Sequence, residues 1–229
     1  MLESANTMNE QELKMPVMEE HRDDVGARMG FWLFLYTEVF LFAVLFLIYA
    51  VYRNQYLDSF KKAALELDTT FGAVNTLVLL FSSLTVVLSI VAIQRGDKAK
   101  AKLFLIITMI CALAFLGIKT VEWSSKFHHG IFLQTQSGID AGLGSPKLIP
   151  GDEMLPQGEV LFYGLYYIMT GTHALHIVIG FILILITTIK IHRGSITSDR
   201  FVFLENIGLY WHLVDVIWIF LFPLFYLVS

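Results

Sequence analysis

The sequence predicts an all-α integral membrane bundle of five transmembrane helices, and three observations carry that prediction. Hydrophobic residues make up 56% of the 229 residues and charged ones only 16%, a balance that soluble domains of this size rarely show. The mean hydropathy is +0.65. Five apolar runs, roughly 30–52, 70–94, 102–126, 159–190 and 201–228, each reach the ~20 helical residues needed to cross a bilayer core. Runs of this length without turn residues argue for helix over strand, because lipid offers no partner to an unpaired backbone group.

Residues 1–29 are polar and acidic and contain no apolar core. They read as a cytoplasmic N-terminal segment and not as a cleavable signal peptide, so the first apolar run directs insertion. Residues 30–229 form the transmembrane domain, with an outer loop at about 127–158 whose "GIDAGLGSPKLIPGDEMLPQGE" is rich in Gly and Pro and predicts irregular structure. Lys and Arg set the orientation. Ten of them fall on the face that holds the N-terminus and the connections after the second and fourth runs, against five on the opposite face. This predicts a multi-pass protein of the plasma (inner) membrane with its N-terminus cytoplasmic and its C-terminus outside.

Composition also excludes. The net charge is −4 and no long block of Lys or Arg exists, so nucleic acid is not a partner. Cys111 is the single cysteine, which rules out an internal disulfide or a cysteine-cluster metal site and leaves a packing role. No internal repeat and no pair of broken helices points to an inverted-repeat transporter.

What remains to explain is the ionisable residues inside the runs, since each costs several kcal/mol in lipid unless it faces a partner or a cavity. Glu38 lies in the first run, in "GFWLFLYTEVFLFAVLF", with no basic residue on its own turn. It either finds a partner on another helix or keeps its proton, because desolvation disfavours the charged form. Lys119 and Glu122 end the third run three residues apart, a spacing that pairs them on one face. His173 and His176 stand three apart in the fourth run, and the fifth carries Glu205, His212 and Asp215. At about 100° per residue the last three fall toward one side, which is expected to face the histidines of the fourth run. Three imidazoles with a carboxylate nearby could assemble a metal site. Hydrogen bonding between the fourth and fifth helices is the preferred reading, because polar contacts hold helices together where lipid gives no hydrophobic drive. Arg28, just before the first run, is either an interfacial anchor or, with His21, a holder of lipid phosphate.

The segments "ARMGFWLFLYTEVFLF", "NTLVLLFSS", "KTVEW", "YIMTGTHALHIVIG" and "YWHLVDVIWIFLFP" resemble, in order, the signature segments of the cytochrome c oxidase subunit III family of haem-copper terminal oxidases, in its five-helix short form. The resemblance runs from about Gly26 to the C-terminus. It implies a subunit without redox centres in a proton-translocating cytochrome c oxidase of the aerobic respiratory chain, beside subunit I and with subunit II in the complex. Haem and copper would reside in the partner subunits, and phospholipid would be bound by this chain. It implies further that no residue here is catalytic, that Glu38 matches a buried carboxyl reactive toward carbodiimide, and that Arg28 lies at headgroup level. The implied role is to support proton uptake into subunit I, protect it during turnover and retain lipid. Two alternatives accompany this reading: an accessory subunit of a nitric oxide reductase or quinol oxidase, and a proton-coupled transporter using Glu38, His173, His176 and Asp215 as a relay.

Overall fold

The structure, a computed structural model, describes residues 24–128, 156–198 and 201–227. His21 with most of the expected N-terminal segment, and nearly all of the expected outer loop, lie outside the described residues. Five helices are long and apolar enough to cross a membrane. We label the helices α1 (Asp24–Gln55), α2 (Leu57–Leu65), α3 (Thr69–Gln94), α4 (Lys98–His128), α5 (Gln157–His192) and α6 (Val202–Phe222), the last running into a π-helical turn, Pro223–Leu227. Each of the five apolar runs is one helix, and α1 starts six residues before the run does.

Helix α2 falls where the sequence predicts only a connection. Phe60, Ala63 and Ala64 are buried and Lys61 and Lys62 exposed, the i, i+3, i+4 pattern of a short amphipathic helix. Nine residues are too few to register as a span. Asp68 then caps α3, its carboxylate accepting from the Thr70 N–H at 2.8 Å. Helices α3 and α5 both end in a left-handed glycine, Gly96 (φ 77°) and Gly194 (φ 79°). In each, the glycine N–H returns to the third carbonyl back and the next residue's N–H to the fifth, Asp97 to Ala92 and Ser195 to Lys190. These paired bonds satisfy carbonyls that the helix end leaves open, and only glycine takes that φ without strain.

Helices α3, α4, α5 and α6 pack as a ring, each against the next and α6 back against α3. Trp211 and Trp218 of α6 are fully buried at its centre. Their indole N–H groups donate across the interface to Ser82 Oγ (3.0 Å) and Thr76 Oγ1 (3.1 Å) of α3. Ser82, Thr85 and Ser89 also bond to carbonyls of their own helix, and Thr85 meets Thr108 of α4 at 2.8 Å. Small hydroxyls thus join the ring without leaving donors open to lipid. Pro223 has no N–H, so the α-helical ladder cannot continue past it. The π turn that follows sends Phe225 and Tyr226 back into the bundle.

Helix α1 stands outside the ring, leaning on α5 and α6, with 11% of its apolar span buried against 50% for α6. Helix α5, at 36 residues, is ~54 Å long and overreaches a ~30 Å hydrocarbon core.

Candidate functional site: the cleft beside α1 and the polar groups of the bundle

Three tethers hold α1 against its neighbours. At the end that carries the two glycine turns, Arg28 Nη2 donates to Glu205 Oε2 of α6 at 2.9 Å. In the middle, His176 Nε2 of α5 lies 2.6 Å from Glu38 Oε2. At the far end, the Tyr49 hydroxyl donates to the Leu224 carbonyl at 2.8 Å. The other ring nitrogen of His176 is 2.7 Å from the Thr172 carbonyl. A carbonyl can only accept, so Nδ1 carries a proton and Nε2 is left for Glu38. Phe42 and Tyr210 flank the ring.

Between the Arg28 and Glu38 tethers a cleft opens along α1 and α6. Its polar part, about 390 Å³, is lined by Arg28, Trp32, Glu205, Asn206 and His212. It passes into an apolar groove of about 360 Å³ lined by Trp32, Leu35, Tyr36, Val39, Leu213 and Val216. One end therefore offers a guanidinium and an imidazole, and the other mainly hydrocarbon and aromatic faces, with His212 lining both.

A second polar cluster closes the other end of the ring. The Lys119 ammonium is buried and donates to Glu122 Oε2 (3.0 Å), Tyr166 Oη (3.1 Å) and Tyr226 Oη (2.8 Å). Both tyrosines donate in turn to the other oxygen of Glu122. The ammonium also lies 5.0 Å from the centroids of the Tyr166 and Trp218 rings, close enough for cation–π attraction. All three of its protons are used, which is the condition under which a buried pair is tolerated. Outside the ring, Lys62 of α2 reaches Glu159 at 3.0 Å. That hydrogen bond and the carboxylate's charge raise the Lys62 pKa above its ordinary value.

The side chains of α6 part company with the sequence expectation. Glu205, His212 and Asp215 do not converge on the histidines of α5. Glu205 turns to Arg28 of α1, and His212 Nδ1 lies 2.6 Å from Ser83 Oγ of α3. Asp215 is buried with neither oxygen in a hydrogen bond among the described residues. The correction has a simple cause: ten residues of helix turn the face by ~80°, enough to send Glu205 to α1 and His212 to α3. The histidine pair differs as well. His176 bonds through its ring to α1, and only its backbone carbonyl reaches α6, accepting from Tyr210 at 3.2 Å. His173 is fully buried between Phe115 and Trp218 and makes no hydrogen bond among the described residues. Among the described residues no three His, Cys, Asp or Glu side chains come together in a group that could hold a metal ion.

Several partners were not singled out in the sequence. Ser83 stands in a quoted segment, yet a serine in an apolar helix ordinarily bonds to its own backbone. Tyr166 lies seven residues before His173, so the two share a face of α5. Tyr226 depends on the π turn and left no periodic trace.

Comparison with known proteins bears on the whole chain. A family model described as "Cytochrome c oxidase subunit III" matches residues 157–229. Cytochrome c oxidase subunit 3 of Alkalihalophilus pseudofirmus is 31% identical over 202 residues, 88% of this chain and 86% of that one. Cytochrome bo(3) ubiquinol oxidase subunit 3 of Pseudomonas putida is also 31% identical, over 88% of this chain and 85% of its own. Heme-copper oxidase subunit I+III of Aeropyrum pernix is 26% identical over 88% of this chain and 22% of that longer protein. With relatives 31% identical over 88% of this chain and 85–86% of their own length, the chain belongs to the cytochrome c oxidase subunit III family.

Proposed function

We propose that this chain is a non-catalytic subunit III of a haem-copper respiratory oxidase of the cytochrome c type, supporting aerobic electron transport by stabilising the complex, binding lipid and aiding proton uptake into subunit I. The observation that carries the reading is relationship over 88% of this chain to proteins named subunit 3 of such oxidases. Haem and copper belong to its partners. The Aeropyrum relative, a single chain named for subunits I and III together, supports direct contact with subunit I. Subunit II completes the complex.

The α1–α6 cleft is the lipid site in this reading. Arg28, exposed at the polar end, takes the phosphate, for which a guanidinium is well shaped. The groove from Trp32 to Val216 takes an acyl chain. Arg95, Lys98, Lys100, Lys190 and Arg193 cluster at the same end as Arg28, which supports a cytoplasmic placement of that end in the plasma membrane.

A quinol oxidase is the second reading, favoured by the equal 31% identity to the Pseudomonas ubiquinol oxidase subunit. Purification through a tag on this chain tests both. A haem-bearing subunit is expected to accompany it, and turnover on reduced cytochrome c but not on quinol selects the first reading. A colourless chain that purifies alone and carries proton flux in liposomes would overturn both in favour of a transporter. Stripping the chain from the complex should leave the haem spectra unchanged and shorten the active lifetime.

A further inference from the structure

The cleft beside α1 changes character along its length, and Trp32, Leu209 and His212 line both its polar and its apolar part. These residues mark the boundary. Trp32 is 55% exposed, and tryptophan is enriched where lipid headgroups give way to hydrocarbon. Arg28 and Glu205 belong to the polar part alone, and Val39, Leu213 and Val216 to the apolar part alone. Glu205 precedes His212 by seven residues of α6, about two turns or ~10 Å along the helix. A glycerophospholipid with its phosphate toward Arg28 and its chains toward Val216 therefore brings its glycerol linkages to the level of Trp32 and His212.

Of these boundary residues, His212 is the one held by a hydrogen bond, its Nδ1 lying 2.6 Å from Ser83 Oγ of α3. Ser83 differs from Ser82, Thr85 and Ser89, whose hydroxyls donate to carbonyls of α3 itself. Its one formed hydrogen bond among the described residues is to the imidazole. Donation by the hydroxyl to Nδ1 leaves the N–H of the neutral ring on Nε2. A donor so fixed, at the depth of the glycerol linkages, matches the carbonyl of an ester. We propose that His212 selects ester-linked over ether-linked glycerophospholipid, its Nε2–H donating to an ester carbonyl. This role rests on the lipid reading of the cleft and adds to it a choice of linkage. Arg28 meets a phosphate and the groove meets chains that both lipid classes share, so neither makes that choice. An ether oxygen is the weaker acceptor, and a half-buried N–H facing it loses most of a hydrogen bond.

The test is native mass spectrometry of the full chain in detergent, offered an equal mixture of a diester phosphatidylglycerol and its diether analogue of the same chain length. The diester is expected to be retained about 2- to 10-fold over the diether, the range of one net hydrogen bond. In His212→Phe the ratio is expected to fall to near one while total retention persists. In Ser83→Ala, where the proton is free to move to Nδ1, it is expected to fall part of the way. A ratio near one in the parent chain, or a parent ratio kept by both variants, overturns the proposal and leaves the lipid site standing. Val216→Trp, which fills the groove, separates the two readings. Retention of both lipids at the parent level in that variant means that they bind elsewhere, and the lipid reading of the cleft then falls together with the proposal. Should His212→Phe fail to fold, the parent ratio and Ser83→Ala decide alone.

Discussion

His176 Nε2 and Glu38 Oε2 lie 2.6 Å apart, a hydrogen-bond distance. With Nδ1 committed to the Thr172 carbonyl, the contact at Nε2 is either imidazolium with carboxylate or neutral imidazole with neutral acid, and both are net neutral. Removing the base leaves a lone carboxyl at the edge of an apolar groove, an environment unfavourable to an unpaired charge. A hydrophobic carbodiimide, which attacks protonated carboxyls, should therefore label Glu38, label it faster in His176→Phe, and not label that position in Glu38→Gln. Labelling that His176→Phe slows would contradict the pairing. Lys119 gives the opposite case, because its partner is left charged. Lys119→Met strands Glu122 with two tyrosine donors, and stability should fall by about 3–5 kcal/mol. Unfolding in mixed micelles would show this, and the double variant Lys119→Met/Glu122→Gln should recover much of the loss.

Helix packing depends on where side chains are missing as much as on where they meet. A Cβ added at Gly180 of α5 would sit 2.7 Å from the buried Trp211 ring, which cannot yield. At Gly208 of α6 it would sit 2.9 Å from the flexible Cδ1 of Ile90. Gly180→Val should therefore destabilise the bundle by about 1–3 kcal/mol and Gly208→Ala by clearly less, measured as a difference in unfolding midpoint; equal losses would count against the reading. Among the elements, all five spans were legible, because ~20 apolar residues have few alternatives in a membrane. Helix α2 was not, its nine residues being too short and too mixed in polarity. Lys119 and Glu122 lie three apart on one helix, so their contact follows from helix geometry alone. The partners of Glu38, Glu205 and His212 lie 129 or more residues away in the chain, and only the order of helices around the ring selects them. Periodicity reports which face a residue occupies and says nothing of which helix that face meets.

At the scale of the whole molecule, a closed ring of four helices carries a fifth helix by three side-chain tethers. Helix α1 should thus be the adjustable part. Arg28→Ala combined with Tyr49→Phe removes the two end tethers and leaves Glu38 with His176 in place. Spin labels at positions 36 and 216, on the two walls of the groove, should then report a broader distance distribution, while a pair within α3 and α4 stays narrow. An unchanged distribution would mean that packing alone seats α1. The same arrangement has a consequence for biogenesis. Helices α3 and α4, joined by the tight glycine turn at Gly96, can zip together as soon as both are made, since their contacts are local. Helix α1 is synthesised before the long helices it touches, α5 and α6. It must wait in the bilayer with every face toward lipid, and the carboxyl in its apolar stretch, Glu38, waits there without its His176 partner. The insertion machinery therefore meets α1 in its least favourable state, before the helices that cover it exist.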